Sequence, residues 1–130
     1  MNIAIVKYNA GNIYSVDYAL KRLGVEAVIT SDKETLMKAD KVIFPGVGEA
    51  ETTMNFLRKE KLDILIKELK QPVLGICLGM QLLFEKSYEY GIHVGLGLLQ
   101  GQVVPMAGRI PGSLKIPHMG WNKLQLQKES

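Results

Sequence analysis

Cysteine is almost absent from this chain, and that scarcity excludes two kinds of stabilising site. The 130 residues contain one cysteine, Cys77. A single thiol cannot form an internal disulfide, and it cannot build a zinc site from several cysteines. We therefore expect Cys77 to be either a packed apolar residue or a nucleophile.

Long apolar runs and a strong charge imbalance are missing too. The longest runs, residues 73–78 and 82–84, fall far below the roughly 20 residues that span a bilayer. Residues 1–7 predict a strand and not a secretory signal. Sixteen Lys and Arg against 13 Asp and Glu leave a net charge of +3, which does not favour nucleic acid. We expect a cytoplasmic protein with no cofactor, no metal and neither nucleic acid nor membrane as a partner.

What is present is typical of one globular domain. Apolar residues form 47% of the chain and charged residues 22%, a composition far from that of disordered proteins. This length fits a single domain, residues 1–130, that removes roughly two thirds of its unfolded surface from water.

Strand and helix patterns alternate through residue 85. Continuously apolar segments predict buried strands at residues 2–6, 25–30, 41–44 and 73–76. Helical patterns are expected from a cap at Asn12 to Gly24, from a Ser31–Glu34 capping box to Ala39, from 49 to a break at 71–72, and over 78–85. This alternation predicts an α/β fold, a mostly parallel sheet with helices on both faces. Beyond it, glycine and proline favour short strands at 102–104, 114–116 and 123–127.

Cys77 lies in the string Gly75-Ile76-Cys77-Leu78-Gly79, between an apolar strand and a helix. This is the thiol version of the G-x-S-x-G nucleophile elbow. The sharp turn brings backbone segments close together, so positions two residues before and after the nucleophile tolerate no β-carbon. The turn also lifts the sulfur clear of the sheet at a helix N-terminus, which favours a thiolate. A buried structural cysteine beside two packing glycines is the alternative.

A thiolate that attacks a carbonyl needs donors for the developing oxyanion. The N–H of Leu78 is one candidate, and the Pro45-Gly46-Val47-Gly48 loop, which also follows a strand, is the expected source of the second. The same loop is a weak phosphate cradle, because acidic residues replace the third glycine.

A site around the thiol would also need side chains that bind the substrate and a general base. Gln81 lies one helical turn after Cys77, and Glu89 could bind an ammonium group. A general base is harder to find, because neither His93 nor His118 begins an H-x-E pair.

The motifs resemble a known family. The string from Gly75 to Gln81 is similar to the nucleophile motif of class I, triad-type glutamine amidotransferases. Together with residues 9–16, 45–48, 77–85 and 117–122 it resembles, more narrowly, the glutaminase subunits of imidazole glycerol phosphate synthases. The resemblance runs from residue 1 to about residue 127, and the combination of four motifs is highly specific. It implies the flavodoxin-like layering of that family.

The resemblance also implies a chemistry. Cys77 would attack the side-chain amide of glutamine and form a γ-glutamyl thioester, with release of ammonia. The N–H of Leu78 and the loop residues Gly46, Val47 and Gly48 would form the oxyanion hole, with Val47 as the peptide that must turn when the partner signals.

Substrate and partner contacts are implied as well. Gln81 and Glu89 match positions that hold the glutamine head group. The implied partner is a (β/α)₈ cyclase subunit, which uses the ammonia to make imidazole glycerol phosphate in histidine biosynthesis. Four residues match the region that faces it: His118, Met119, Trp121 and Asn122.

One departure from the family pattern changes the expectation. The family completes its Cys-His-Glu triad with a downstream H-x-E pair, which these 130 residues lack. The resemblance therefore implies the N-terminal part of such a subunit, C-terminally truncated and inactive alone. Two alternatives stay open: a non-catalytic module that docks on the cyclase through residues 117–122, and another cysteine-elbow α/β hydrolase of peptidase-like or glyoxalase-like type.

Overall fold

The computed structural model describes residues 1–9 and 12–128. Ala10 and Gly11, placed by the sequence in the loop after the first strand, lie outside the described residues. The strands are β1 Ile3–Val6, β2 Ala27–Thr30, β3 Lys41–Phe44, β4 Val73–Gly75, β5 Phe84–Ser87, β6 His93–Val94 and β7 Leu99–Val103. The helices are α1 Ile13–Arg22, α2 Lys33–Lys38, α3 Ala50–Lys59, α4 Leu62–Glu68 and α5 Leu78–Leu82.

The first four strands form one parallel sheet in the order β2-β1-β3-β4. Ile5 of β1 is in register with Ile29 of β2 on one side and with Ile43 of β3 on the other. Because every strand runs the same way, the loops after β1, β3 and β4 meet at one edge of the sheet. The predicted mostly parallel α/β architecture is confirmed.

The two faces of the sheet are covered unequally. The larger core lies under α2, α3, α4 and α5, and includes Phe44, Leu57 and Leu78. The opposite face packs Ile3, Ile5, Ile13 and Ile43 under α1. Helices on both faces are therefore confirmed. On the α1 side, Leu74 of the edge strand β4 is 58% exposed.

Two predicted helices end earlier than the apolar pattern suggests. The expected helix after residue 49 is broken into α3 and α4 by Lys61, whose φ is 58°. The helix predicted to reach Glu85 ends at Leu82, because the residues from Phe84 onward pair with β6 and β7 instead. The carbonyls of Leu82 and Leu83 accept from backbone N–H groups of residues 96–99. Phe84 then begins a strand of a second sheet, ordered β6-β5-β7.

The predicted helix caps were partly wrong. Asn12 precedes α1 in a left-handed conformation, and its side chain accepts from the Ser15 hydroxyl instead of a backbone N–H. Asp32, not Ser31, caps α2, with its carboxylate accepting from the Thr35 N–H at 2.8 Å. The Thr35 hydroxyl donates to the same carboxylate at 2.7 Å. This side-chain bond first, and then the bond from the N–H, hold the pKa of Asp32 below its ordinary value. Gly24, at φ 73°, follows the end of α1 as expected.

The segment from 104 to 128, here the C-terminal segment, contains neither helix nor strand. The strand predicted at 102–104 corresponds to the end of β7, but those predicted at 114–116 and 123–127 are wrong. A strand needs a neighbour to take its backbone hydrogen bonds, and no strand of residues 1–9 or 12–103 pairs with these runs.

Candidate functional site

Cys77 stands at a strained turn between β4 and α5. Its φ and ψ are 53° and −119°, a backbone conformation that is uncommon for a residue with a side chain. The thiol is exposed, while Leu78 and Gly79 immediately after it are buried. The alternative that Cys77 is a buried structural cysteine is therefore wrong.

Close backbone packing explains the two glycines of the elbow, residues 75–79. A β-carbon on Gly79 would collide with the carbonyl oxygen of Phe44, at the end of the neighbouring strand β3. A β-carbon on Gly75 would lie 2.6 Å from the Cα of Met80. The elbow can therefore form only where both positions lack a side chain, as the sequence predicted.

The loop of residues 45–48 lies directly against this elbow. Gly46 is buried, and a β-carbon there would lie 2.6 Å from the backbone nitrogen of Gly79. Val47 and Gly48 are exposed, and Gly48 has a φ of 103°. The loop and the elbow, which follow the adjacent strands β3 and β4, are thus brought together at one sheet edge.

Unpaired donors are available at the elbow. The N–H of Leu78 opens α5, where helical N–H groups have no partner within the helix. Throughout residues 1–9 and 12–128, the N–H groups of Leu78, Val47 and Gly48 donate no hydrogen bond outside the regular elements. Such a set of free backbone donors beside a thiol can stabilise an oxyanion that forms on an acyl carbon.

Tyr8 is a residue of this site that the sequence interpretation missed. It is buried under the 45–48 loop, its ring lies 5.6 Å from that of Phe44, and its hydroxyl donates to the carbonyl of Pro45. Burial raises the pKa of Tyr8 well above its ordinary value, and the nearby Cys77 adds to the effect. The one available signal was a hydroxyl-bearing aromatic residue just after β1, at the edge where parallel strands end.

The two predicted substrate contacts fall in different places. Gln81 is half-buried on α5, and its N–H donates to the carbonyl of Cys77 at 3.0 Å. Glu89 follows β5, and its carboxylate accepts from the N–H of Ala50 at 3.3 Å. Because Ala50 begins α3 just after the 45–48 loop, the structure brings Glu89 to the far end of that loop.

Neither histidine contacts Cys77. The ring of His93 in β6 hydrogen bonds to the carbonyl of Glu89 at 3.1 Å, and the ring of His118 lies 2.9 Å from the side-chain nitrogen of Asn122. Both contacts are local. A general base for Cys77 is therefore not supplied by either histidine in this conformation.

The proposed partner residues lie in the exposed C-terminal segment. Trp121 is fully exposed, and Met119 is 85% exposed. Such large apolar side chains on a surface are typical of residues that become buried on binding. His118 and Asn122, which contact each other, flank them along the chain.

Neither a metal centre nor a membrane-spanning helix is found in the part of the chain that the structure describes. Residues 1–9 and 12–128 hold no group of three His, Cys, Asp or Glu side chains arranged to bind a metal ion. Within the same residues, every helix is too short or too polar to cross a bilayer.

Comparison with known proteins agrees with the geometry of the elbow. The family described as class I glutamine amidotransferase matches residues 4–130. Several curated relatives are named imidazole glycerol phosphate synthase subunit HisH. The protein from Bacteroides fragilis is 62% identical over 128 residues, which cover 98% of this chain and 64% of the relative. The protein from Lactococcus lactis is 53% identical over 131 residues, covering 98% and 63%.

A third relative of the same name, from Bacteroides thetaiotaomicron, is 60% identical over 124 residues, with 95% of this chain and 62% of the relative covered. The resemblance seen in the sequence motifs is thus confirmed. The chain spans a little less than two thirds of the length of these curated relatives.

Proposed function

Since this chain belongs to the class I glutamine amidotransferase family, we propose that it carries the nucleophile of a glutaminase. The sulfur of Cys77 attacks the side-chain amide carbon of glutamine, a C–S bond forms, and the C–N bond breaks to release ammonia. Water then cleaves the γ-glutamyl thioester to glutamate. The observation that carries the proposal is an exposed thiol at a positive φ, beside unpaired backbone donors.

The backbone supplies the charge stabilisation in this proposal. The tetrahedral intermediate places a negative oxygen next to the elbow, where the N–H of Leu78 is free to donate. A second donor comes from Gly46, Val47 or Gly48. The exposed Val47 and Gly48, with φ 103° at Gly48, support a peptide that can turn its N–H toward the oxyanion.

Two side chains are proposed to hold the substrate. Gln81 lies on the first turn of α5 after Cys77, so its amide can exchange hydrogen bonds with the glutamine head group. The carboxylate of Glu89 would pair with the α-ammonium group. The anchoring of Glu89 at the start of α3, through the Ala50 N–H, supports this placement near the loop.

The destination of the ammonia is proposed from the relatives. They are named as subunits of imidazole glycerol phosphate synthase, so we assign the ammonia to a (β/α)₈ cyclase subunit of that enzyme. Its docking surface would be formed by four residues of the C-terminal segment: His118, Met119, Trp121 and Asn122. Transfer inside the complex would keep the ammonia from release to water.

We propose that, in these 130 residues, an activated substrate acylates Cys77 faster than the chain hydrolyses glutamine. Neither His93 nor His118 contacts Cys77, and neither begins an H-x-E pair. Loss of general acid–base assistance lowers a rate by roughly 10²–10⁴-fold. An activated substrate with a good leaving group bypasses that requirement, because the leaving group needs no proton.

Mass spectrometry of the intact chain tests the proposal. The chain is incubated with an electrophilic analogue of L-glutamine, and the expected product is a single adduct on Cys77 that excess L-glutamine suppresses. The D-enantiomer and the Cys77→Ser variant are matched controls, and neither is expected to give the adduct. Equal labelling by both enantiomers, without protection by glutamine, would contradict a glutamine site.

A second candidate function is a docking module without chemistry. The full exposure of Trp121 favours it, because such a side chain gains most from burial in a partner. Pull-down with the cyclase subunit, comparing the wild-type chain with Trp121→Ala, tests the docking. Capture without any Cys77 labelling by the L-analogue would favour this function over the glutaminase.

A further inference from the structure

The loop beside Cys77 is held at both ends by side chains from distant parts of the chain. At its start, the carbonyl of Pro45 accepts from the hydroxyl of Tyr8, 37 positions away. At its end, the N–H of Ala50 donates to Glu89, 39 positions away. No side-chain cap comes from the local residue Glu49. Long-range contacts, and not local turn chemistry, therefore set where this loop begins and ends.

The first of these anchors joins two buried residues. Tyr8 is 7% exposed and Pro45 is buried. A buried hydroxyl and a buried carbonyl each lose water on folding, so separating them would leave two unsatisfied polar groups. The ring of Phe44 packs against Tyr8, and a β-carbon on Gly46 would lie 2.7 Å from the hydroxyl oxygen. The hydroxyl is thus in direct contact with the first peptide of the loop.

The middle of the loop has no such restraint. Val47 is 40% exposed, and a β-carbon placed on Gly48 would meet nothing within 4 Å. Any rearrangement of the loop is therefore confined to the peptides of Val47 and Gly48. The peptide that joins Pro45 to Gly46 would have to break the Tyr8 bond to move.

We infer that Tyr8 is a positioning residue for acyl transfer: its hydroxyl fixes the peptide before Gly46, so that the donors of residues 46–48 remain in reach of an oxyanion formed at Cys77. This inference rests on the proposed function for its chemistry, but its structural part can be tested without substrate. In this role Tyr8 acts through the Pro45 carbonyl and needs no contact with the substrate or the leaving group.

The hydroxyl is suited to this role across the working pH range. Its pKa is raised by burial and by the charge of Cys77, so Tyr8 stays protonated and keeps donating to Pro45. The groups around it are the Phe44 ring, the loop backbone and Cys77. Tyr8 also lines a cavity to which Lys7 and Glu60 contribute the charged groups. The role therefore predicts no pH-dependent loss of the anchor near neutrality.

The kinetic test uses Tyr8→Phe, which removes the hydroxyl and keeps the ring that packs on Phe44. Two reactions of Cys77 are compared. The γ-p-nitrophenyl ester of L-glutamate is attacked at its carbonyl by the thiolate, the C–O bond breaks, p-nitrophenolate leaves, and the thiol proton goes to solvent. Iodoacetamide alkylates the same sulfur by displacing iodide, with no oxyanion.

The expected result is a selective loss. Acylation by the ester should fall about tenfold, which is less than the 10²–10³-fold for loss of a whole oxyanion donor. Alkylation by iodoacetamide should stay within about twofold. Tyr18→Phe, the same deletion on a 60% exposed side chain, is the matched control and should change neither rate. Unchanged acylation in Tyr8→Phe would overturn the inference.

Amide hydrogen exchange separates this inference from the proposed function. In the wild-type chain the Gly46 amide should exchange more slowly than those of Val47 and Gly48. In Tyr8→Phe its exchange should rise about fivefold, because loss of the Tyr8 bond to the Pro45 carbonyl frees the peptide that carries the Gly46 N–H. If the wild-type chain is not acylated at all, the glutaminase proposal fails. The exchange rates still test whether Tyr8 holds the peptide before Gly46. A Gly46 amide that is as open as Val47 in the wild-type chain would overturn the role of Tyr8, even if the variant failed to fold.

Discussion

The elbow at residues 75–79 and the string at residues 117–122 both carry the family resemblance, yet one packs within the chain and the other lies on its surface. Beneath its exposed thiol the elbow is tightly packed: Gly79 lies against the Phe44 carbonyl, and Leu78 is buried in the main core. The second motif lies in the exposed C-terminal segment, where Trp121 is fully accessible. The difference shows that one family motif can be fixed by packing within its own chain while another stays exposed on the surface.

Substitution of Gly79, the second glycine of the elbow, should cause the largest loss of stability. In Gly79→Ala the new β-carbon would collide with the Phe44 carbonyl, and neither backbone can yield without separating β3 from β4. We expect a loss of about 4 kcal/mol or more in the free energy of unfolding, at the upper end for single substitutions. Urea denaturation followed by circular dichroism measures it.

The C-terminal segment offers a matched control. A β-carbon on Gly112 would meet nothing within 4 Å, so Gly112→Ala should leave the unfolding free energy within about 0.5 kcal/mol of wild type. A comparable loss in both variants would contradict the division between a packed region and an exposed one.

Truncation of a leucine should also cost more stability in the packed region than in the C-terminal segment, but less than the change at Gly79. Leu57 of α3 is 0% exposed in the main core, whereas Leu124 is 94% exposed. Leu57→Ala should lower the unfolding free energy by about 3 kcal/mol through lost burial and a residual cavity. Leu124→Ala should change it by less than about 0.5 kcal/mol. A large effect at Leu124 in denaturant titration would mean that the C-terminal segment packs in solution.

Substitution of Trp121 should affect binding to a partner and leave the stability of the chain unchanged. Because the side chain is free in this chain, Trp121→Ala should not alter the unfolding transition. If residues 117–122 dock on the cyclase, the variant should bind it about 30-fold more weakly, or about 2 kcal/mol. Calorimetric titration with the cyclase subunit measures this, with Leu126→Ala as a control of similar exposure. Equal binding by wild type and Trp121→Ala would remove Trp121 from the interface.

The helix cap at Asp32 should give the smallest effect, and one that depends on pH. Its carboxylate accepts from Thr35, which holds the pKa below the ordinary value of 3.8. The stabilisation is therefore present above the unfolded-state pKa and is lost as the pH falls through the lower folded-state value. Asp32→Asn should be slightly less stable than wild type at pH 7. The difference should shrink below about pH 4, as thermal unfolding at several pH values would show.

The strand order of the first sheet was not predicted, although its strands were. The apolar segments marked β1 to β4 to within one or two residues, because a strand buried on both faces is continuously apolar. The placement of β1 between β2 and β3 depends on which helices cover which face, and residue patterns along the chain do not encode that choice. The helix predicted over 78–85 ends at Leu82 because residues 84–87 pair with strands further along the chain, β6 and β7, and such pairing is not encoded locally either.

The residues of the candidate site also fall into those that the sequence predicted and those that it missed. Cys77, its flanking glycines and the 45–48 loop were found from spacing, because the steric demands of a tight turn leave a recognisable pattern. Tyr8 was not found, because its role depends on one long-range bond to Pro45. The roles of Gln81 and Glu89 toward glutamine stay predictions, as do those of the four residues proposed to face the cyclase.

By itself, the sequence determined the alternation of strands and helices, the lone thiol at a turn between glycines, and the family to which the chain belongs. These follow from local sterics and from short-range periodicity, which neighbouring residues encode directly. Only the tertiary structure decided that Tyr8 and Glu89 hold the two ends of the 45–48 loop and that residues 117–122 stay exposed. Those outcomes depend on close approach between segments far apart in the chain, where packing and the pairing of buried polar groups choose the partners.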